Sequence, residues 1–458
     1  CQEGAAPAKV ENGVIDACRR LWKHLCVIAI AASTLPAQAS EITKPAPIAD
    51  SDYRKVDPKS AALGRLLFYD KILSGNRNIA CGTCHSHDHA TADGLSLGVG
   101  EGGVGLGPTR MFGEGRDLPV KRVPRNANAL FNLGHKDFRV LFHDGRLSKD
   151  NAYGNGFNTP AEEWFPKGLT SIAAAQAMFP ITSRVEMAGD PAENDIAASR
   201  RERIDHVWPK IARRVSATPE YRERFGELGI QGGEITMVNI ANAIGDFIIS
   251  EWRSDTAPFD AWLKGDDKAL TPQQHAGADL FYGKARCAEC HSGPLLTNQK
   301  FYGLALPPFG PGRVRVFDPY ARDVGRMGET DDLDAAYRFR TPSLRNIAKT
   351  GPYGHNGAYA TLDGIIRHHL NPITALETWN RDQVVLPKQA RFEAADFAVW
   401  EDAREMARLK RRVDIEPVSL EEPEIAALVE FLNALDDPTA LAGRLGKPKR
   451  VPSGLAVD

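Results

Sequence analysis

The sequence predicts a chain of two similar halves with many turns and long loops, and it does not favour a sheet-rich fold. Three observations support this: 41 glycines and 30 prolines with only 8% aromatic residues, a repeated motif, and apolar residues at helical spacing before each copy. The 458 residues are 42% hydrophobic and 25% charged, which is enough for two or three globular domains. A formal net charge of −2 indicates no basic surface, so nucleic acid is not an expected partner.

The first 39 residues are predicted to be an export signal with an upstream extension. Basic residues between 19 and 23 precede the apolar run 25–32, and a small-x-small cleavage site follows at 37–39. The run is shorter than the roughly 20 residues of a membrane span, so we expect cleavage after Ala39. An N-terminal anchor is the alternative. The mature protein is expected in the periplasm, without a membrane span.

Two CxxCH motifs contain all four cysteines that follow the signal. They are Cys81-Gly82-Thr83-Cys84-His85 and Cys287-Ala288-Glu289-Cys290-His291. Two thiols on one turn can bond the two vinyl groups of a haem, and the adjacent histidine can bind its iron. We therefore predict two covalently bound c-type haems with His85 and His291 as iron ligands. Two disulfides, or a zinc site of cysteine and histidine, are the alternative.

Similar segments precede the two motifs, which indicates an internal repeat. Residues 64–69 read GRLLFY and residues 277–282 read GADLFY. Apolar residues in both segments recur at helical spacing, which predicts that a helix packs on each haem. Near the end of the chain, Ser419 and Glu422 resemble a capping box, and an apolar stripe within 425–435 predicts a closing helix packed in the core.

The group on the second face of each haem decides between electron transfer and chemistry. The adjacent residues His368 and His369 stand out, because they lie on a helix that Thr361 is predicted to cap. Neighbouring helix positions point about 100° apart, so only one of the two can face a given haem. A solvated position is the alternative for either histidine.

The order of these motifs resembles the bacterial di-haem cytochrome c peroxidase and MauG family over nearly the whole mature chain. The resemblance is carried by the two CxxCH motifs and by residues 63–70, 124–126, 142–146, 185–187 and 339–346. It implies a mainly α-helical fold of two cytochrome c-like haem domains with long loops and little sheet. We place an N-terminal peroxidatic domain at 52–232, a C-terminal electron-transfer domain at 233–440, and a tail at 441–458.

The resemblance also implies roles in the first domain. His85 matches the proximal ligand of the peroxide-binding haem, and Glu186 matches a distal carboxylate that moves a proton between the peroxide oxygens. Pro180 matches a proline that lines this pocket in MauG-like members. A surface carboxylate and a plain turn residue are the alternatives for Glu186 and Pro180. We find no histidine at the spacing of a displaceable ligand, so we expect a five-coordinate first haem.

In the second domain, His369 falls where peroxidase members carry methionine and MauG carries tyrosine as the sixth haem ligand. We therefore expect His291 and His369 to bind the second iron, with His368 as the alternative. A second imidazole in place of a thioether favours ferric iron, which predicts a lower potential than in methionine-ligated peroxidases.

Two further features are implied for the region between the haems. Asn126, Thr350 and Pro352 match positions that bind a calcium ion through oxygen atoms, with ordinary turn residues as the alternative. His143 stands where well-studied members have a tryptophan. It either replaces that tryptophan in electron transfer or only hydrogen-bonds a haem propionate.

The function that the resemblance implies is reduction of hydrogen peroxide to water, with electrons from a small redox protein such as a cytochrome c or a cupredoxin. A MauG-like enzyme that uses peroxide to oxidise residues of a partner protein is the first alternative. A di-haem cytochrome that only transfers electrons is the second, and it would need two axial ligands on both irons. A homodimer is one expected assembly.

Overall fold

The computed structural model describes residues 44–313 and 321–458. The predicted export signal lies outside these residues. Within them the chain is mainly helical, with long irregular connections and three small antiparallel sheets. The expected fold class, mainly α with little sheet, is confirmed. In the described ranges, none of the helices combines the length and the apolar character that a membrane crossing requires.

The helices of the first half of the described chain are α1 (Pro58–Tyr69), α2 (Cys81–Cys84), α3 (Ile172–Ala177), α4 (Asp195–Arg200), α5 (Val207–Ser216), α6 (Pro219–Glu227) and α7 (Met237–Glu251). Those of the second half are α8 (Pro258–Leu263), α9 (Pro272–Tyr282), α10 (Met327–Thr330), α11 (Leu362–Leu370), α12 (Pro372–Glu377), α13 (Ala390–Asp396), α14 (Ala403–Lys410), α15 (Glu422–Asn433) and α16 (Pro438–Ala442).

The strands are short and antiparallel. They are β1 (Gly103–Val104), β2 (Met111–Phe112), β3 (Val140–Leu141), β4 (Leu147–Lys149), β5 (Phe157–Asn158), β6 (Phe301–Gly303) and β7 (Arg338–Arg340). β1 pairs with β2, β4 lies between β3 and β5, and β6 pairs with β7. In the last pair Tyr302 lies opposite Phe339.

The repeated segment forms a helix before each motif, as predicted. α1 packs on α7, and α9 packs on α15. A β-carbon at Gly64 of α1 would collide with the Ala243 carbonyl, and a β-carbon at Gly277 of α9 would collide with the Ala427 carbonyl. The glycine that both copies of the repeat share therefore lets a partner helix approach at backbone distance.

The closing helix begins later than Ser419. α15 begins at Glu422, and the Glu424 side chain accepts a hydrogen bond of 2.8 Å from the Glu421 backbone N–H. A cap at Ser419 would put Pro423 four residues further on, where its missing N–H would remove the first hydrogen bond of the helix. The predicted capping box of Ser419 and Glu422 is therefore wrong. The predicted apolar stripe is buried, and its members are Ile425, Leu428, Phe431, Leu432 and Leu435.

Buried apolar side chains form two large clusters. The first includes Ile48 to Trp252 along the chain, together with a few later residues such as Val451. The second extends from Ala257 to Leu435 and takes in one earlier residue. Because α7 packs in the first cluster, packing favours a boundary after Trp252 rather than near residue 232. The division into two domains stays a prediction.

The first testable consequence concerns the shared glycine. Gly277→Ala is expected to lower the free energy of unfolding by about 1–3 kcal/mol, because the added methyl group meets the backbone of α15. The matched control is Gly226→Ala in α6, where a β-carbon meets nothing within 4 Å and helix propensity favours alanine. Urea unfolding of the haem-loaded proteins measures both. Equal midpoints for Gly277→Ala and wild type would contradict the close packing.

Candidate haem sites

A cavity of about 530 Å³ surrounds the second CxxCH motif. Cys287, Cys290 and His291 lie on its wall together with His369 of α11. The remaining wall is largely apolar and includes Phe281, Leu304, Leu306, Ile365, Leu428 and Leu432. This volume lies in the range of small-molecule pockets, and apolar walls suit a planar macrocycle. The residues present therefore fit a haem.

The two histidines in this cavity are oriented by backbone carbonyls. His291 Nδ1 lies 3.1 Å from the Leu296 carbonyl, and His369 Nδ1 lies 2.8 Å from the Ile365 carbonyl. Burial lowers the pKa of His369, and burial together with the neighbouring His369 lowers the pKa of His291 to about 4. Both rings are therefore neutral, and Nδ1 carries the proton, which leaves Nε2 able to bind iron.

His368 has no nitrogen left for a metal. Its Nδ1 lies 2.8 Å from the Tyr359 hydroxyl and its Nε2 lies 2.7 Å from the Leu304 carbonyl. Its side chain is fully buried. This arrangement favours His369 over His368 as the second ligand of the second haem.

The first motif presents its histidine in the same way. α2 contains Cys81 and Cys84, and the His85 Nδ1 that follows lies 2.8 Å from the Thr91 carbonyl. Burial lowers the pKa of His85 and raises the pKa of both thiols to about 12. In the described chain none of the four cysteines of the two motifs forms a disulfide. In the described ranges, no group of three or more His, Cys, Asp or Glu side chains is arranged to hold a metal ion.

Glu186 lies near the first motif on an unusual turn. The π-helical turn Arg184–Ala188 forms because the N–H groups of its last three residues all donate to the Ser183 carbonyl, at 2.9–3.2 Å. Burial raises the pKa of Glu186, and the neighbouring Arg146 guanidinium opposes this rise. The carboxylate is close enough to Cys84 to raise the pKa of that thiol. The structure therefore brings Glu186 and the first motif together.

A glycine-rich segment, residues 94–115, covers this turn. A β-carbon at Gly100 would collide with the Val185 carbonyl, and the Glu101 N–H donates to that carbonyl at 3.3 Å. Pro180 opens the short 3₁₀ turn Pro180–Thr182 that leads into the Glu186 turn. The role of Pro180 at the pocket stays a prediction.

A buried cluster of arginines around Asp144 was not predicted. Asp144 is fully buried and accepts hydrogen bonds from Arg125 at 2.6 Å and from Arg146 at 3.0 Å. Burial raises the pKa of Asp144, but the guanidinium groups outweigh this effect and hold it well below its usual range. Both arginines lie in segments that carry the resemblance, 124–126 and 142–146, which was the available signal.

The residues proposed for the region between the haems lie on the wall of the cavity at the second motif. They are Asn126, His143, Thr350 and Pro352. His143 Nε2 lies 3.2 Å from the Asn126 carbonyl, and burial followed by the Arg125 charge lowers its pKa to about 3. His143 is therefore a neutral ring beside the second haem site. Its role and the calcium site stay predictions.

His87, two residues after the first motif histidine, is held by other side chains. Its Nδ1 contacts the Tyr69 hydroxyl, and its Nε2 lies 2.7 Å from Glu251 Oε1. Both ring nitrogens are thus engaged by protein side chains. The open first haem stays a prediction. This three-residue chain is a further feature that the sequence analysis did not find.

Comparison with known proteins identifies the class. The family model for di-haem cytochrome c peroxidase matches residues 58–268. The cytochrome c551 peroxidase of Pseudomonas aeruginosa is 30% identical over 330 residues, 71% of this chain and 76% of that protein. The Escherichia coli cytochrome c peroxidase Ccp is 30% identical over 337 residues, which are 73% of this chain but only 57% of that protein.

The methylamine utilization protein MauG of Methylorubrum extorquens is 26% identical over 338 residues, 73% of this chain and 75% of that protein. The chain belongs to the di-haem cytochrome c peroxidase family. By family it is a peroxidase-type oxidoreductase, and membership implies two haems.

A solved structure with the same fold is that of a MauG-like protein associated with microbial copper homeostasis. The TM-score is 0.55 at 24% identity, over 90% of this chain and 98% of that one. This likeness concerns the fold alone.

The assignment of the second axial ligand can be tested. His369→Ala is expected to convert the second haem from low spin to high spin, because its iron loses a nitrogen ligand. The matched control is His368→Gln, which removes the neighbouring imidazole and leaves His369 in place. EPR spectra of the ferric, haem-loaded proteins report the spin state. Loss of the low-spin signal in His368→Gln, with its survival in His369→Ala, would reverse the assignment.

Proposed function

We propose that this protein is a periplasmic di-haem c-type peroxidase that reduces hydrogen peroxide to water with electrons from a small redox protein. The proposal depends on the difference between the two motif histidines. His291 shares its cavity with His369, whereas a half-buried carboxylate, Glu186, lies near the motif of His85. Two imidazoles suit a haem that exchanges electrons, and a carboxylate suits one at which peroxide reacts.

At the first site, the haem held by Cys81, Cys84 and His85 would supply the exchange of electrons with peroxide. Glu186 accepts a proton from one peroxide oxygen and returns it to the other. Its environment suits both roles, because burial raises its pKa while Arg146 limits the rise. Each H₂O₂ takes up two protons and two electrons and gives two water molecules.

At the second site, Cys287 and Cys290 would bond the haem, and His291 and His369 would bind its iron. The electron donor in this proposal is a cytochrome c or a cupredoxin. His143 borders this site and would lie on the electron path or hydrogen-bond a propionate. A calcium ion is proposed at Asn126, whose position, like those of Thr350 and Pro352, offers oxygen ligands on the same wall.

A second candidate function is oxidation of residues on a partner protein, as the resemblance to MauG implies. Two observations favour it. His369 stands in place of the methionine of peroxidase members, and His87 is held by Tyr69 and Glu251 rather than free to act as a displaceable ligand. The source of the final electrons distinguishes the two functions, because a peroxidase must turn over with a reduced redox protein alone.

The proposal predicts an open first haem. EPR of the ferric, haem-loaded protein is expected to show one high-spin and one low-spin signal, with the high-spin signal lost after an equivalent of hydrogen peroxide. The reason is that the proposal gives Glu186 a proton-transfer role and assigns His85 as the one protein ligand of the first iron. Two low-spin signals unchanged by peroxide would contradict an open peroxide site.

The proton-transfer role predicts a large rate effect. Glu186→Gln is expected to lower kcat/KM for peroxide by about 10²–10⁴-fold, because an amide cannot shuttle a proton. The pKa of Glu186 is raised above its ordinary value of 4.5. Proton acceptance needs the ionised form, so wild-type kcat/KM falls as the pH drops through this raised pKa.

Steady-state oxidation of a reduced cytochrome c across a pH series measures both effects, with haem content checked first. The matched control is Glu202→Gln, at a carboxylate that is 73% exposed. Two results would exclude the carboxylate as the proton carrier. One is a wild-type kcat/KM in Glu186→Gln, and the other is the same fall of kcat/KM at low pH in Glu186→Gln and in the wild type.

A further inference from the structure

A hydrogen-bonded chain of three side chains lies beside the first motif, and the function proposed above does not use it. The Tyr69 hydroxyl contacts His87 Nδ1, and His87 Nε2 lies 2.7 Å from Glu251 Oε1. Tyr69 is 2% exposed and Glu251 is fully buried. The chain therefore joins an oxidisable phenol, a base and a carboxylate inside the first core cluster.

The position of Tyr69 connects this chain to the haem attachment segment. Tyr69 ends α1, and its ring lies against Gly82, between Cys81 and Cys84. A β-carbon at Gly82 would collide with the ring. Thioether bonds at the two cysteines would hold the macrocycle beside this segment. The phenol would thus lie close to the haem at which peroxide reacts in the proposed function.

The direction of the hydrogen bonds follows from the charge on Glu251. Burial raises the pKa of Glu251, but hydrogen bonds from His87 and from the Leu445 and Gly446 N–H groups, at 2.6 and 2.7 Å for the amides, bring it below its ordinary value. An ionised Glu251 accepts from His87 Nε2–H, so the Nδ1 lone pair faces the Tyr69 hydroxyl. Tyr69 is therefore the donor to His87.

We propose that Tyr69 is a redox-active tyrosine that gives up one of the two electrons used in peroxide reduction. This inference rests on the proposed function, in which peroxide reacts at the His85 haem. The Tyr69 O–H bond breaks, the electron passes to the oxidised haem site, and the proton moves to His87 Nδ1, where a new N–H bond forms. The product is a neutral phenoxyl radical. An electron from the donor protein and the same proton later restore the phenol.

The surroundings favour this coupled step. Burial raises the pKa of Tyr69, so the phenol stays protonated and its electron can leave favourably only with the proton. The imidazolium formed at His87 then lies against the Glu251 carboxylate, and the two opposite charges stabilise each other in a buried site.

A second buried pair of a tyrosine and a histidine, elsewhere in the protein, lacks this stabilisation. The Tyr359 hydroxyl lies 2.8 Å from His368 Nδ1, but His368 Nε2 faces the neutral Leu304 carbonyl. Trp252 is also close, with its ring 5.1 Å from that of His87. Its buried Nε1, however, has no hydrogen-bond partner among the described residues, so no base can take its proton. Of the three residues, Tyr69 is therefore the one whose combined loss of an electron and a proton is best stabilised.

Freeze-quench EPR of the ferric, haem-loaded full chain after peroxide addition tests the proposal. The wild type is expected to give an organic radical signal whose hyperfine splitting narrows when the tyrosines carry ring deuterium. Tyr69→Phe is expected to lose this signal. Tyr359→Phe, the matched control from the other pair, is expected to keep it. His87→Gln is expected to lose it as well, because glutamine cannot take up the proton.

The high-spin haem signal in the same spectra separates the two proposals. If peroxide removes that signal without a tyrosyl radical in the wild type, or if the radical survives Tyr69→Phe, the redox role of Tyr69 is excluded and the peroxidase proposal stands. If peroxide leaves the high-spin signal unchanged, the proposed function fails and this inference fails with it. The labelled wild type and His87→Gln decide the question if Tyr69→Phe does not fold.

Discussion

The Nδ1 atoms of His85, His291 and His369 each face a backbone carbonyl, at 2.8, 3.1 and 2.8 Å. Burial lowers the pKa of these three imidazoles, and a carbonyl acceptor places the remaining proton on Nδ1, so that Nε2 is presented to iron. The loops after the two motifs supply two of these carbonyls. Thr91 and Leu296 have φ of 66° and 53°, a left-handed conformation that non-glycine residues seldom adopt. The orientation of each motif histidine thus depends on a locally unfavourable backbone that the surrounding core must hold.

The same close helix packing occurs in both halves of that core. Gly64 and Gly277 let α1 and α9 approach the backbones of α7 and α15, so each motif follows a helix that is fixed at close distance. Beyond the shared frame the two halves differ in charge. Near the first motif lies the Glu186 carboxylate, whereas the second motif shares a largely apolar cavity with His369. One repeated scaffold therefore presents two haem sites with different polar groups, which is the basis for assigning them different roles.

The hydrogen-bonded chain of Tyr69, His87 and Glu251 is also joined to residues late in the sequence. Glu251 accepts hydrogen bonds from the N–H groups of Leu445 and Gly446, in the segment expected to be a tail. Val451 of the same segment is buried in the first cluster. The final residues thus help to set the charge beside the first haem motif, although they lie almost 200 positions after Glu251 in the chain.

The sequence by itself determined the features whose signal is local. These features depend on residues a few positions apart: the CxxCH spacing, the helices before both motifs, the Thr361 cap of α11 and the buried stripe of α15. One local prediction, the helix cap at Ser419, was wrong, because the restriction that Pro423 places on the start of a helix outweighs the capping pattern. Tertiary structure decided which of His368 and His369 has a free nitrogen, since the answer lies in Tyr359 and Leu304. Tertiary structure also determined which residues form the Asp144 cluster and the hydrogen-bonded chain from Tyr69 to Glu251. Hydrogen bonds between residues far apart in sequence exist only once helices and loops have packed.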